Sequence, residues 1–262
     1  MGRIIAVANQ KGGVGKTTTS INLAACLAEK GKKVLAVDMD PQGNLTSGLG
    51  VDKISLSYTI YEAMCGNCNI GECMIVHPLG DHKLNLSLIP AGRDLAGAEV
   101  DFIDVDKRQY ILKELLYPIK DKYDFIIVDC PPALGMLTVN SMTAADTVLV
   151  PIQCEFFALD GLTQLIYTID LIKKKLNKAL EIEGVVFTMF DARTNLSLEV
   201  VENVKNNLDQ FIYKSIIPRN VRLAEAPSFG LPINLYDSRS SGAQGYRELA
   251  EEVINNKLYA GI

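Results

Sequence analysis

Residues 9 to 18 read Asn-Gln-Lys-Gly-Gly-Val-Gly-Lys-Thr-Thr, and no other segment restricts the fold so tightly. A loop of this kind needs a strand before it and a helix after it, because its backbone N–H groups must line a phosphate cradle floored by a helix N-terminus. Apolar Ile4 to Ala8 supplies the strand and Lys16 to Lys30 the helical pattern. Gly12, Gly13 and Gly15 permit positive φ and close backbone approach, with Val14 between them and Thr18 closing the segment. Lys16 neutralises phosphate charge, Thr17 offers its hydroxyl to Mg²⁺, and the helix dipole adds roughly half a positive charge.

The loop carries a second lysine. In the frame Gly-x-x-x-x-Gly-Lys-Thr, Gln10 holds the first glycine position and Lys11 follows it. Lys16 already serves the β- and γ-phosphates, so an ammonium five residues earlier, on the opposite lip, is placed to reach a nucleotide held by a facing subunit. The motif points to an ATPase that works as a pair.

Two more stretches end apolar runs in acids. Lys33 to Asp38 continues into Met39-Asp40-Pro41-Gln42-Gly43-Asn44, and Phe125-Ile126-Ile127-Val128 runs into Asp129-Cys130-Pro131-Pro132. Ligands of an open parallel sheet bind at the carboxyl ends of its strands, so Asp38, Asp40 and Asp129 are expected near the phosphates. Asp129 is expected to hold Mg²⁺ directly or through water, with Asp38 beside it, and Asp40 to orient the attacking water.

Together these segments resemble ParA/Soj-type chromosome- or plasmid-partitioning ATPases, in the deviant Walker A group that includes MinD. The resemblance runs through Asn9 to Thr19, Val37 to Gly50, Ile126 to Gly135, Pro151 to Gly161, Asp191 to Asn195 and Pro218 to Gly230, which are spread over nearly the whole chain. It implies an ATP-sandwich homodimer with Lys11 contacting nucleotide across the interface. It further implies Lys16 and Thr17 for ATP·Mg²⁺, Asp40 for hydrolysis, and Pro218 and Asn220 near the adenine. Arg193 and Arg222 match positions implicated in sequence-independent DNA binding, with Arg219 beside them. A ParB-like partner is expected to stimulate hydrolysis and release the dimer from DNA.

Strand patterns recur at Leu84–Ile89, Thr147–Ile152, Ile182–Phe190 and Ile212–Ile217. Helical patterns recur at Asp94–Phe102, Lys107–Lys120, Leu159–Leu176, Leu196–Leu208 and Gly242–Leu258. The alternation predicts an α/β fold, a mainly parallel twisted sheet with helices on both faces, as one P-loop domain over residues 1–262. One P-loop argues against the duplicated arsenite-pump ATPases. With that loop starting by residue 11 there is no room for an N-terminal helix-turn-helix region, so operator-specific binding is not expected.

No apolar stretch approaches the ~18 residues of a membrane span, and no signal peptide precedes the first strand, so a cytoplasmic, nucleoid-associated protein is expected. A MinD-like membrane ATPase would need a basic amphipathic C-terminal helix. Arg247 to Ile262 instead sets Glu248, Glu251 and Glu252 against Arg247 and Lys257. An iron–sulfur carrier ATPase would need cluster cysteines on the dimer axis, and Cys130 has no second cysteine in a matching motif.

Cys65, Cys68, Cys73 and His77 bring four soft donors within 13 residues. Tyr58 to Met64 and Ile70 to Val76 read as two short helices joined at Gly66-Asn67, which lacks the return turn of a zinc knuckle. A structural role is expected for them.

The net charge is −5, yet whole-chain charge does not describe a local surface. Between Arg193 and Arg247 there are seven Lys/Arg and five Asp/Glu, a balance of +2 that dimerisation would double. Nonspecific double-stranded DNA binding through phosphates is the expectation.

Overall fold

The computed structural model describes residues 2–155, 158–208 and 210–256. Its strands are β1 (Arg3–Val7), β2 (Val34–Asp38), β3 (Ile75–Val76), β4 (Leu86–Ile89), β5 (Phe125–Asp129), β6 (Thr147–Gln153), β7 (Glu181–Phe190) and β8 (Ile212–Pro218). They form one sheet in the order β3-β4-β2-β5-β1-β6-β7-β8. Every pairing is parallel except that of β3 with β4.

The helices are α1 (Lys16–Glu29), α2 (Asn44–Gly48), α3 (Ile60–Met64), α4 (Ala98–Asp101), α5 (Ile111–Leu116), α6 (Met136–Ala144), α7 (Ala158–Lys175), α8 (Asn195–Asn207), α9 (Val221–Glu225), α10 (Ile233–Tyr236) and α11 (Ser241–Ile254). Alternation along the strands divides the core between the two faces of the sheet. Ile4, Ala6, Leu35, Val37, Ile126 and Val128 point to a face covered by α5, α6 and α7 through Leu112, Leu116, Leu137, Met142, Leu165 and Ile169. Ile5, Val7, Val34, Ala36, Phe125 and Ile127 point to the other, under α1 and α11 with Leu23, Leu27, Tyr246, Leu249 and Val253. Strands buried on both faces read as continuous apolar runs, which is why they stand out in the sequence.

Three helical expectations are corrected. Ile70 to Val76 is not a helix: it turns, and Ile75 and Val76 then pair antiparallel with Leu88 and Ser87. The β-branched pair favours extended backbone, and the edge of β4 offers it hydrogen bonds. Lys107 to Lys120 is not one helix but a 3-10 turn at Arg108–Tyr110, α5, and a second 3-10 segment at Tyr117–Lys122. Pro118 has no N–H for an α-helical bond and sits in the first turn of that segment. Asp94 to Phe102 likewise divides into a 3-10 turn at Arg93–Gly97 and α4. Helix α6 carries no expectation from the sequence; its Thr138, Val139 and Thr143 are weak helix formers, held by packing against α5. Of the reading Gly242–Leu258, the stretch beyond residue 256 lies outside the described residues.

The segments 37–50 and 218–230 meet where Gly50 and Gly230 lie back to back, both at positive φ (76° and 66°). A Cβ on Gly230 would fall 2.6 Å from Gly50 Cα, and one on Gly50 would fall 3.0 Å from the Gly230 carbonyl oxygen. This close approach draws the loop after β8 against α2. Gly230→Ala is expected to lower stability by about 2 kcal/mol or more, since it combines a positive φ with a backbone clash. Urea unfolding checks this; an unchanged midpoint would show that the two loops do not need the contact.

Candidate active site

The register of the central strands assembles the site. Asp38 pairs with Asp129 across β2 and β5, and Asp129 pairs with Val7 across β5 and β1. The ends of three adjacent strands therefore deliver two carboxylates and the root of the glycine-rich loop to one edge. Helix α1 begins at Lys16 behind Gly15, which is left-handed at φ 87°. Gly12 and Gly13 would meet nothing within 4 Å if given a Cβ, so the lip of the cradle is open.

Asp129 is fully buried, and both its oxygens accept hydroxyls: Thr17 Oγ1 at 2.8 Å and Ser20 Oγ at 2.7 Å. Ser20 was not anticipated from the sequence, although its place one turn after Lys16 in α1 is the signal that could have found it. Lys16, 7% exposed, donates from Nζ to the Lys11 carbonyl at 2.9 Å and so spans the loop. Burial holds its pKa below the usual lysine value, against the opposing pull of Asp129, Cys130 and Asp40. Burial also pushes the Asp129 carboxyl upward, and Asp38 adds to that shift.

Asp38 is placed differently from the other acids. Its Oδ2 accepts Thr46 N at 2.8 Å and Thr46 Oγ1 at 2.7 Å, while Oδ1 accepts Asp40 N at 3.2 Å. Thr46 Oγ1 in turn accepts Ala91 N at 3.0 Å. Asp38 thus supports the backbone turn that carries Asp40 and ties it to Thr46. Asp40, 8% exposed, accepts Gln42 N on Oδ1 at 2.9 Å.

The donor set suits a hard cation. A hydroxyl and a carboxylate at a helix N-terminus match Mg²⁺, which prefers oxygen ligands and keeps several waters. Thr17 would hold the ion directly; Asp129, with both oxygens engaged, would act through Thr17 or water. A cation there favours the ionised form of Asp129.

Behind the loop lies a cavity of about 320 Å³ lined by Gly15, Thr18, Thr188, Met189, Pro218, Asn220 and Tyr246, among others. Pro218 and Asn220 are therefore brought to the same cavity as Gly15 and Thr18, as expected of a base pocket beside a phosphate loop. Thr188 Oγ1 fixes the cavity to the loop by donating to the Val14 carbonyl at 2.8 Å. Asn220 caps α9 through Oδ1 to Arg222 N at 2.8 Å, and its Nδ2 donates to Ser241 Oγ at 2.9 Å. Thr188, Met189 and Tyr246 were missed. The first two sit at the end of β7, whose strand-end position is the available clue.

The backbone of Lys11 is tied into the loop through Asn9 and Lys16, while its ammonium forms an ion pair with Glu155. The three arginines fall at neighbouring strand ends, since Phe190 pairs with Pro218 and Arg219 N donates to the Phe190 carbonyl at 2.9 Å. Arg193 is chelated by Asp191 through Nε (2.8 Å) and Nη2 (2.7 Å). Arg222 reaches Glu225 at 2.9 Å and Asp237 at 3.6 Å. Among the described residues Arg219 has no carboxylate partner within ion-pair distance. In the cysteine segment, Cys73 Sγ donates to the Ile70 carbonyl at 3.2 Å, and His77 Nδ1 lies 3.1 Å from the Leu84 carbonyl. Among the described residues, no group of three or more His, Cys, Asp or Glu side chains is arranged to hold a metal.

Residues 2–182 match the AAA domain family. The sporulation initiation inhibitor protein Soj of Bacillus subtilis is 52% identical over 98% of this chain and 100% of its own length. The chromosome partitioning protein ParA of Myxococcus xanthus is 50% identical over 97% of this chain and 88% of its own. Among solved structures, cobyrinic acid a,c-diamide synthase from Mycobacterium smegmatis, with bound ATP analogue and magnesium, is similar at TM-score 0.88 and 36% identity. That likeness covers 100% of this chain and 97% of the synthase. MinD from Pyrococcus horikoshii, complexed with Mg-ADP, is similar at TM-score 0.79 and 29% identity over 100% and 98% of the two chains.

Fold and site together define a P-loop ATPase using ATP and Mg²⁺. Its loop has two lysines rather than one, and its likeness to partitioning proteins extends over nearly the full chain. The chain belongs to the Soj/ParA family of chromosome-partitioning ATPases. Lys16→Ala is expected to weaken ATP·Mg²⁺ binding by on the order of a hundredfold, because a charge-assisted phosphate contact is lost from a buried position. Calorimetric titration checks this, and affinity within threefold of wild type would remove Lys16 from the cradle.

Proposed function

We propose that this chain is a DNA-segregation ATPase whose ATP-bound homodimer binds DNA without sequence preference and is released when a ParB-like partner stimulates hydrolysis. The observation that carries this reading is Lys11: a second lysine on the lip of a loop already served by Lys16, its ammonium paired with Glu155. An ammonium in that position is of little use to its own subunit's phosphates and well suited to those of a facing copy. The whole chain would work as one ATPase unit, cytoplasmic and nucleoid-associated.

In hydrolysis, Lys16 and the loop amides hold the phosphates, while Lys11 of the facing subunit adds positive charge where it develops. Mg²⁺, when bound, supplies further charge neutralisation at the phosphates. Asp40 orients and polarises the water that attacks the γ-phosphorus as the bond to the β-γ bridging oxygen breaks. Oδ1 of Asp40 is committed to Gln42 N, which leaves Oδ2 for the water. Catalysis rests on positioning and charge stabilisation. Slow basal turnover follows, because the dimer must persist to act as a switch.

The pair with Glu155 must open for Lys11 to cross the interface. Both side chains are about two-fifths exposed (40% and 45%), so solvent screens the pair and its loss is worth about 1 kcal/mol at most. Glu155→Gln is expected to strengthen the ATP-dependent dimer up to about fivefold, whereas Lys11→Ala abolishes it and leaves ATP binding through Lys16 intact. Light scattering with and without ATP decides between them. A Lys11→Ala dimer of wild-type affinity would sink the role in trans.

For DNA, Arg193, Arg219 and Arg222 offer one surface beside the nucleotide pocket, and pairing two subunits would extend it into a strip. Arg193→Ala and Arg222→Ala are each expected to lower the logarithmic salt slope by about 0.9 per lost contact per subunit, on any duplex. Gel shifts on two unrelated duplexes over a salt series test this. Undiminished binding would move the DNA surface elsewhere, and preference for one duplex would overturn the nonspecific mode.

A further inference from the structure

We propose that Lys53 is a positioning residue for hydrolysis, clamping the turn that carries Asp40. The inference rests on the assignment of Asp40 to the attacking water. Lys53 lies on the loop after α2, and its Nζ donates to the Gln42 carbonyl at 2.6 Å. The peptide unit that begins with this carbonyl continues to Gly43 N, which donates to the Asp40 carbonyl at 2.8 Å. Gln42's own N–H donates to Asp40 Oδ1. One rigid peptide plane is thus held at its oxygen by Lys53 and at its nitrogen by Asp40.

The surroundings argue against a merely solvated lysine. Lys53 lines an open groove of about 720 Å³ together with Asp52, Glu62 and Asp94, three carboxylates on which an ammonium could settle. It pairs with none of them within 4.0 Å among the described residues and takes a backbone carbonyl instead. Asp52 Oδ1 accepts Ile54 N at 3.0 Å, and Glu62 Oε2 accepts the Thr59 backbone and hydroxyl, both at 2.7 Å. The Lys53 stem reaches Gln42 by crossing Gly43: a Cβ on Gly43 would fall 2.5 Å from Lys53 Cδ and 3.0 Å from the Ala91 carbonyl oxygen. Gly43 is also left-handed, at φ 61°, so both its space and its conformation suit the crossing.

The Asp40 turn therefore has two supports. Asp38 and Thr46 hold it from the buried side through Asp40 N, and Lys53 holds it from solvent through Gln42 O. The first is built into the core. The second is a single charge-assisted bond on a side chain that solvent can reach, and it governs the orientation of the peptide whose neighbouring N–H fixes Asp40.

The test is single-turnover release of γ-phosphate at saturating ATP and Mg²⁺, for wild type, Lys53→Met, Lys53→Arg, Asp40→Asn, and the double variant of Lys53→Met with Asp40→Asn. Lys53→Met keeps the stem and removes the ammonium; it is expected to slow release on the order of tenfold, as for loss of one charge-assisted bond, with ATP affinity and thermal midpoint unchanged. Lys53→Arg can donate to the same carbonyl and is expected to restore most of the rate. The double variant is expected to be no slower than Asp40→Asn alone, because the clamp acts only through that carboxylate. Wild-type release by Lys53→Met, beside a slow Asp40→Asn, would overturn the clamp and leave the Asp40 assignment standing. Wild-type release by Asp40→Asn would overturn both. The same fold-loss from Lys53→Met in either background would also overturn the clamp, by showing that Lys53 acts elsewhere.

Discussion

Two fully buried carboxylates stand side by side at the ends of β2 and β5, and the site is arranged to make that tolerable. Asp38 and Asp129 share one register row, so parallel pairing itself forces them together. Unpaired charges at that depth would be costly. Asp129 is answered by the hydroxyls of Thr17 and Ser20 from α1, and Asp38 by Thr46 from α2. The helix that floors the phosphate cradle and the helix that follows the Asp40 turn are thereby tied to adjacent strands by the groups that solvate buried acids. The groups that satisfy these buried acids are thus the same ones that fix the geometry of the strand ends.

A second regularity concerns the cations. Lys11 lies on Glu155, Arg193 on Asp191, and Arg222 on Glu225 and Asp237. All are pairs with substantial solvent exposure on the basic side, so water and salt screen each of them. Such pairs are easily exchanged for a stronger anion. On the proposed reading, Lys11 exchanges Glu155 for the phosphates of a facing subunit, and the arginines exchange carboxylates for the phosphates of DNA.

Much of this was legible in the sequence because its strongest signals are local. The loop from Asn9 to Thr18, the buried runs of β2 and β5, and the acids that end them each declare strand, turn and ligand within a dozen residues. What the sequence leaves out is set by contact between distant segments. Asp38 and Asp129 look alike as acids after strands, and only the folded chain shows that one faces Thr46 and the Asp40 turn and the other the hydroxyls of Thr17 and Ser20. Ile70 to Val76 has a helical pattern, but the open edge of β4 pairs with its last two residues. Thr188, Met189 and Tyr246 reach the cavity behind the loop only because Thr188 ties β7 to Val14 and α11 packs against α1. Lys107 to Lys120 was the one error visible locally, since Pro118 marks the break.

On the proposed reading, the acid partners of the arginines also bear on how a chain of net charge −5 would bind DNA and still let go. With Arg193 and Arg222 compensated in each subunit, Arg219 is the one of the three arginines that has no ion-pair partner among the described residues. Attraction between exposed charges fades beyond roughly 8–10 Å at physiological salt, so distant acids matter less than these local ones. Affinity from phosphate contacts grows multiplicatively with their number, because each contact contributes its own counterion release. Doubling a weak patch by dimerisation therefore squares a small binding constant rather than adding to it. A strongly basic surface would hold DNA as a monomer and gain nothing from ATP. On the proposed reading, a nearly balanced one makes DNA affinity depend on the paired state, and so on the hydrolysis assigned to Asp40.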